Sequence, residues 1–264
     1  MKGRVYIVIL VALALQSAAI AQQVPITSQY LTNGLVINPA YAGTREALSI
    51  NLSYRKQWAN ITGAPQFQTL SLHSPINEKE KVSLGLMAEY LTYGVTKDVG
   101  IYAYYAYSVR LGRGKLSMGL KGGLDLSNTN YNRLQFPDGN PADPLLAGDM
   151  KYTLPNMGVG FYYYTDRYFA GLSVPSLLTY KRDATDEFSV TPDYKMFMSC
   201  LTAGTLLQFA DIIKVKPSVL VRYSIHKPLE VDLNANLIIA DLLWVGGSYR
   251  MAEKAVVALV DLQI

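Results

Sequence analysis

The sequence predicts an all-β fold in which antiparallel strands form a barrel that crosses an outer membrane. Three observations point to this class: strands that alternate apolar and polar residues, a hydrophobic composition without a membrane helix, and connections whose lengths are sorted along the chain. The clearest strand spans residues 115–126, where leucine and methionine alternate with serine, glycine, lysine and aspartate. Successive strand residues point to opposite faces, so one face is apolar and the other polar. A strand of a soluble β-sandwich shows the same pattern, and the rest of the chain has to decide.

The composition favours a membrane protein. Half of the 264 residues are hydrophobic and 17% are charged, whereas about 25% are charged in a typical soluble domain. No run after residue 25 approaches the roughly 18 apolar residues of a membrane helix. A hydrophobic chain without such a helix fits a barrel, because alternation dilutes the residues that face lipid. The 20 tyrosines suit strands and the aromatic girdles of such barrels.

The chain is predicted to have three parts. Residues 1–21 form a secretory signal peptide with a positive start, an apolar core and a small-residue cleavage site; an uncleaved anchor helix is the alternative. Residues 22–45 show no alternation, and the turn signals Asn33-Gly34 and Asn38-Pro39 predict an ordered segment in the barrel interior or at its periplasmic mouth. Residues 46–264 form the barrel. An exported strand-rich chain without a membrane helix indicates the bacterial outer membrane.

Twelve strands are predicted in the barrel, each from an alternating run. In residues 230–240, for example, Val231, Leu233 and Ala235 alternate with Asp232 and Asn234. The predicted strands are 46–55, 66–73, 82–92, 99–110, 115–126, 156–165, 167–174, 194–209, 214–224, 230–240, 242–250 and 255–264.

The connections between these strands are sorted by length. The long ones, 56–65, 127–155 and 175–193, all follow odd-numbered strands, whereas connections after even-numbered strands are mostly short, such as 111–114. Outer-membrane barrels have short periplasmic turns and longer outer loops. With the N-terminus in the periplasm, the odd-numbered connections face outward. A sandwich has no reason to sort its loops in this way, so the pattern favours the membrane barrel.

The side chains predict no enzyme, cofactor or metal site. The two histidines, His73 and His226, lie far apart and lack metal-ligand spacing. No G-x-S-x-G motif is present, although a Ser–His pair is not excluded because triads are not local in sequence. Cys200 is the only cysteine and cannot form an internal disulfide. Lys121 and Asp125 share the polar face of residues 115–126 and are expected to form a charge pair there; a selectivity element for solutes is the alternative.

An ordered set of short motifs resembles the PorP/SprF family. Residues 28–43, SQYLTNGLVINPAYAG, are similar to the N-terminal signature of that family. After Thr179 the resemblance is to strand pattern alone. Between these points the match continues with Tyr54-Arg55, Gln57-Trp58, Gly63-Ala64-Pro65, Gln68-Thr69, His73, Pro75, Leu154-Pro155-Asn156, Gly158, Gly160, Tyr162-Tyr163, Tyr168, Gly171-Leu172-Ser173 and Pro175.

The resemblance implies an outer-membrane protein associated with the type IX secretion system, with a barrel of about fourteen strands and no enzymatic activity. Some members are needed for adhesin secretion and gliding motility, and others contact periplasmic ring proteins or the C-terminal sorting domain of cargo. The implied partners are ring or translocon proteins of this system, a secreted cargo with a sorting domain, and the lipid bilayer. Nucleic acid is not expected, because no basic patch with interleaved aromatics is present.

The last residues depart from the family pattern. Relatives continue for two more strands and end near an aromatic residue, whereas this sequence stops at Ile264 without one. We expect a chain that is truncated relative to its relatives; a closed barrel of twelve strands is the alternative.

These observations lead to a docking hypothesis. We expect a non-enzymatic barrel that docks or anchors an adhesin-type cargo and links it to the periplasmic secretion apparatus. Residues 127–155 and 175–193 are expected on the cargo side, and residues 29–43 on the periplasmic side. For residues 38–41, a fixed turn that starts the barrel explains the sequence equally well. The partner-contact candidates are Gln29, Tyr30, Asn38, Pro39, Ala40, Tyr41, Gln57, Trp58, Pro155 and Asn156.

Two other classes of function compete with docking. An outer-membrane channel for small solutes requires a continuous open interior and conducts ions in bilayers. A soluble secreted β-protein, such as an adhesin module, stays in solution without detergent, and apolar residues at nearly every second strand position make this class a poor fit.

Overall fold

The computed structural model describes residues 28–58, 60–76, 81–131, 149–182, 188–191, 197–225 and 227–262, and the statements below refer to these. The predicted signal peptide, His226 and the start of the eighth predicted strand lie outside the described residues. In the described ranges, no helix has both the length and the apolar character needed to cross a membrane.

Within the described ranges, three short 3-10 helices precede fifteen strands. The helices are η1 (Ser28–Leu31), η2 (Gly34–Val36) and η3 (Pro39–Tyr41). The strands are β1 (Ser49–Lys56), β2 (Gln66–Pro75), β3 (Val82–Tyr93), β4 (Thr96–Leu111), β5 (Gly114–Asn130), β6 (Asp149–Tyr164), β7 (Tyr168–Val174), β8 (Thr179–Arg182), β9 (Phe188–Thr191), β10 (Ser199–Thr205), β11 (Leu207–Ala210), β12 (Ile213–Ser224), β13 (Lys227–Ile239), β14 (Leu243–Arg250) and β15 (Ala255–Leu262).

Thirteen of these strands form one antiparallel sheet that follows the order of the chain from β1 to β15. Strands β8 and β9 pair only with each other, as a hairpin within the connection that follows β7. Strands β10 and β11 are interrupted at Leu206 and both pair with β12. The sheet is open, with β1 and β15 as its edge strands. Arg55 of β1 interacts electrostatically with Arg250 of β14 and with Glu253, just before β15.

The predicted all-β antiparallel fold is confirmed. The twelve predicted strands correspond to β1–β7, β10 with β11, and β12–β15. The predicted connection 127–155 was too long at both ends, because β5 continues to Asn130 and β6 begins at Asp149. The apolar alternation stops near residue 126, but backbone pairing continues through polar residues. There the Thr96 and Thr129 hydroxyls lie 3.0 Å apart, and Ser127 donates a hydrogen bond to Asp98.

The two faces of the sheet have opposite chemistry. The outward face carries exposed apolar side chains, among them Leu52, Leu120 and Val256. The concave face buries mostly polar residues, which excludes the sandwich because a sandwich buries its apolar face. The buried polar residues on strands are Thr69, Ser71, His73, Ser83, Thr96, Ser108, Ser117, Ser127, Thr129, Asn156, Ser173, Arg222, Ser224, Glu230, Asp232, Asn234, Asn236, Ser248 and Arg250.

The connections define two ends of the sheet. At the long-connection end lie the ends of β1 and β2 that flank residues 57–65, the last residue of β5, the first residue of β6, the last residue of β7 and the turn between β14 and β15. Residues 132–148, 183–187 and 192–196, which include much of the two ranges expected on the cargo side, lie outside the described residues. The short-connection end carries the two-residue turns between β4 and β5 and between β11 and β12.

Candidate functional site: the occupied interior

The concave face of the sheet encloses the N-terminal segment, residues 28–45. In this segment Tyr30 and Leu31 pack on Cys200 of β10 and Leu220 of β12. Farther along, Leu35 and Ala42 pack against β3 and β4, where they contact Met87, Tyr102, Tyr104 and Ala106. The segment therefore contacts strands on opposite sides, which shows that the sheet curls around it.

The segment crosses the interior from one end of the sheet to the other. At the long-connection end, Arg250 at the end of β14 donates from Nη2 to Ser28 Oγ at 2.6 Å. At the short-connection end, Lys115 at the start of β5 donates from Nζ to Glu46 Oε1 at 2.5 Å. Both ends of the crossing are thus tied to the wall by charged side chains.

Two asparagines shape the segment and attach it to the wall. Asn33 caps η2 by accepting from Leu35 N at 3.2 Å, and its Nδ2 donates to Ser71 Oγ of β2 at 2.7 Å. Asn38 caps η3 by accepting from Ala40 N at 2.9 Å, and its Nδ2 donates to a backbone carbonyl of β6. Asparagine suits both tasks because its amide has an acceptor for the helix N-terminus and donors for the wall.

Three inward glycines, Gly119, Gly160 and Gly171, make room for η3, and we call them the glycine seat. A Cβ at Gly119 would lie 2.1 Å from Ala40 N, and one at Gly160 would lie 2.1 Å from Asn38 Oδ1. At Gly171 a Cβ would lie 2.9 Å from Asn38 Nδ2. The missing side chains let the segment approach the backbone of β5, β6 and β7.

Tyr41 completes η3 and stands between two rings of the wall. Its ring centroid lies 5.7 Å from that of His73 and 5.6 Å from that of Tyr162, both edge-on, a favoured aromatic geometry. Its hydroxyl accepts from Arg45 Nε at 3.4 Å. Burial alone would raise the pKa of Tyr41, but the positive charges of Arg45 and Lys216, together with hydrogen bonds from Arg45 and Thr44, lower it.

Tyr30 joins the segment to a buried ionic cluster on β12–β14. Its hydroxyl donates to Asp232 Oδ2 at 2.9 Å, and Asp232 also accepts from Arg222 Nη2 at 3.2 Å. Arg222 Nε pairs with Glu230 at 2.8 Å. Burial, and next the charge of Asp232, raise the pKa of Tyr30 to about 12. The hydroxyl therefore stays protonated and donates to the carboxylate at neutral pH.

A second polar cluster lies on the inward faces of β4–β6. Asp125 accepts from the Tyr102 hydroxyl and from Asn156 Nδ2, the latter at 2.8 Å. Lys121 Nζ lies 3.7 Å from the centroid of the Tyr102 ring. Lys121 and Asp125 thus both contact Tyr102, and a direct ion pair between the two charges stays a prediction.

The structure brings half of the candidate residues together. Tyr30, Asn38, Pro39, Ala40 and Tyr41 lie in the enclosed segment, packed against the wall of the same chain. Gln29 lies in η1, and its side chain is outside the described part of the chain. The placement of this segment on the periplasmic side stays a prediction; its start is bound at the long-connection end, and Glu46, just after it, is bound at the short-connection end.

The other four candidates lie elsewhere. Asn156 is buried on the inward face of β6, and Pro155 is exposed on the outward face beside Leu124. Gln57 and Trp58 follow β1 at the long-connection end, where Trp58 is 60% exposed.

Sequence reasoning missed most of the residues of the wall that hold the segment. Gly119 was visible only as part of the alternating run 115–126 and Gly160 only as a motif residue of the family, and neither predicted a partner in the interior. Arg222, Asp232 and Arg250 carried the available signal, because charges at inward positions of a membrane strand require a partner.

A comparison with known families adds an independent finding. The family described as type IX secretion system membrane protein PorP/SprF matches residues 19–264. The chain belongs to this family. The match includes both the enclosed segment and every strand through β15, so the family membership extends past Thr179. PorP/SprF proteins are membrane components of a secretion system, and no curated protein matches this chain.

Proposed function

We propose that this PorP/SprF protein is an outer-membrane docking component of type IX secretion, which holds an adhesin-type cargo at the surface and links it to the periplasmic apparatus. The observation that carries the proposal is the occupied interior. A solute channel needs a continuous opening, whereas here residues 28–45 cross the interior, with Ser28 bound to the wall at one end and the adjoining Glu46 bound to it at the other.

The segment is attached on several sides, which shows that it is bound to the wall and is not a loose tail. Asn33 binds β2, Asn38 binds β6, and the Ile37 carbonyl accepts from Ser173 Oγ of β7 at 2.6 Å. Tyr30 binds β13. Together with β14, which binds Ser28, five strands form hydrogen bonds to the segment. The segment therefore blocks the interior, which favours docking on the outside over transport through the inside.

The proposed location in the outer membrane rests on the outward face. Along each strand, outward apolar side chains alternate with inward polar ones, and this is the pattern of a strand that faces lipid. The orientation follows from the connections, because outer-membrane barrels carry their longer loops outside the cell. The long-connection end is then the cargo side, and the short-connection end is the periplasmic side.

The connection between β1 and β2 offers a contact surface on the cargo side. Trp58 and Ile61 are 60% and 57% exposed there. Gln57 N donates to Pro65 O, and Gly94 N donates to Gly63 O, both at 2.9 Å. The loop is therefore held in place while it displays two apolar side chains, and tryptophan is a preferred anchor of protein interfaces.

The test is a pull-down from the native host. The mature chain is tagged, the outer membrane is solubilised in mild detergent, and the bound proteins are identified by mass spectrometry. We expect ring components together with one large secreted protein, and we expect Trp58→Ala to lose the secreted protein at least about fivefold. Leu120→Ala, which changes an exposed residue on the lipid-facing side, is the matched control. A wild-type barrel that is recovered alone and conducts ions would contradict docking and favour the channel.

A further inference from the structure

We propose that the glycine seat is a peptide-binding site, that residues 38–41 occupy it as an intramolecular ligand, and that displacement of this ligand turns the blocked interior of the sheet into an ion-conducting pore. This proposal goes beyond docking and does not depend on it. The ligand class is a short peptide with an Asn-Pro start, a small third residue and an aromatic fourth residue.

Three of the four ligand residues have a matching feature in the wall. Asn38 Nδ2 donates to the Phe161 carbonyl at 3.0 Å. Ala40 is completely buried, and its backbone lies where a side chain of Gly119 would be. The ring of Tyr41 enters the space between His73 and Tyr162. The site therefore selects for three properties of the peptide: a hydrogen-bond donor at the first residue, a small side chain at the third and an aromatic ring at the fourth.

The wall does not need the ligand for its own continuity. Strands β5 and β6 pair without interruption from Lys115↔Tyr164 to Asn130↔Asp149. Strands β6 and β7 pair from Val159 to Tyr164. These backbone ladders hold the seat glycines in place, and the segment adds only side-chain and carbonyl contacts to them. Displacement of the segment therefore leaves the ladders intact.

The interior is suited to water once the segment leaves. Its wall carries Lys121 and Asp125 on one side and Arg222, Asp232 and Arg250 on the other. A cavity of about 40 Å³ already lies beside the segment, bounded in part by Asn38, Lys216 and Asn236. That volume holds roughly three water molecules. A polar wall of this kind stays hydrated and lets ions pass.

The first experiment displaces the ligand and leaves the wall unchanged. Ala40→Leu adds bulk at a completely buried position of η3, whereas Ala47→Leu makes the same change at an exposed position of the same chain region. Purified full-length proteins are inserted into planar bilayers. We expect wild type and Ala47→Leu to be silent, and Ala40→Leu to raise the mean conductance per protein at least about tenfold. Heat-modifiable migration in gels verifies that each barrel is folded.

The second experiment tests the site in trans. A synthetic peptide with the sequence of residues 32–43 is added to the Ala40→Leu protein, and a peptide with leucine in place of Asn38 is the control. We expect the first peptide to reduce the conductance at least about fivefold and the control to have no effect.

The outcomes are decisive. A folded Ala40→Leu protein that stays silent overturns the gated pore. A conducting Ala40→Leu protein that neither peptide blocks overturns the peptide-binding site. Should Ala40→Leu not fold, Asn38→Ala removes the two hydrogen bonds of the ligand without added bulk. Its folded form is expected to show brief openings, and silence overturns the proposal.

Discussion

The side-chain amide of Asn38 donates to the carbonyl of Phe161 at 3.0 Å, and this hydrogen bond joins the start of the chain to the middle of β6. The same side chain accepts from Ala40 N and so caps η3. One residue therefore shapes the turn and attaches it to the wall. Asn38 lies before the first strand, where substitutions ordinarily have small effects, but we expect the stability of the barrel to depend strongly on it.

Asn38→Ala is expected to lower the free energy of unfolding by about 3 kcal/mol. The substitution removes a helix cap, worth about 1 kcal/mol, and leaves the Phe161 carbonyl without its donor, which costs a further 1–3 kcal/mol, roughly. Urea unfolding in detergent micelles measures the change. Asn128→Ala, at an exposed position of β5, is the control and should change the stability by less than about 0.5 kcal/mol. Equal effects of the two substitutions would contradict the role of Asn38.

Gly119→Ala and Gly122→Ala should differ sharply although both lie on β5. A Cβ at Gly119 would lie 2.1–2.4 Å from the backbone of residues 39 and 40, whereas one at Gly122 has nothing within 4 Å. Overpacking of this kind costs about 1–3 kcal/mol, because a backbone cannot move aside as a flexible side chain can. The midpoint of thermal unfolding should fall for Gly119→Ala and stay constant for Gly122→Ala. A Gly119→Ala protein as stable as wild type would show that the seat is not filled.

Asp232→Asn should destabilise the barrel by about 3 kcal/mol, since it leaves Arg222 and Arg250 buried with less opposing charge. The control is Asp241→Asn, because Asp241 pairs with Lys214 at 2.7 Å but is 68% exposed. Exposed pairs contribute less than about 1 kcal/mol. Unfolding of the two variants at one pH and ionic strength makes the comparison, and a control loss as large as that of Asp232→Asn would count against the buried cluster.

The pH dependence of stability should carry a contribution from Tyr30. Its pKa is raised from 10.0 to about 12 in the folded protein, so the folded state holds the proton more tightly than the unfolded state. This contribution is complete below pH 10 and is lost as the pH rises through about 12. Tyr30→Phe, which cannot titrate, should lose less stability than wild type over that interval. Parallel stability curves for the two proteins above pH 10 would contradict the hydrogen bond to Asp232.

Local pattern predicted the strands because the two faces of a membrane strand meet different solvents. Strand β5 was found from its leucines, which alternate with Ser117, Gly119 and Lys121. The same rule failed beyond residue 126, since Ser127 and Thr129 pair through the backbone and not through an apolar face. Alternation reports the chemistry of the faces, whereas backbone hydrogen bonds need no particular side chain.

The filled interior was beyond local pattern for a different reason. Asn38 is 123 residues from Phe161, and Tyr30 is 202 residues from Asp232. Each contact depends on how the whole sheet curls, and no spacing in the sequence records that curvature. The turn at Asn38-Pro39 was visible because its cap is local. Its place against Gly119 and Gly160 became visible only with the assembled wall.

The most direct test of this account is a cross-link between the segment and the wall in native membranes. Asn33 Nδ2 lies 2.7 Å from Ser71 Oγ, so Asn33→Cys with Ser71→Cys should form a disulfide in a Cys200→Ser background. The control replaces Ser71→Cys by Leu72→Cys, because Leu72 is the next residue of β2 and faces outward. Non-reducing gels should show nearly complete cross-linking between cysteines at positions 33 and 71, and no cross-linking between cysteines at positions 33 and 72. If the cysteines at positions 33 and 71 do not cross-link in folded barrels, the segment does not occupy the interior.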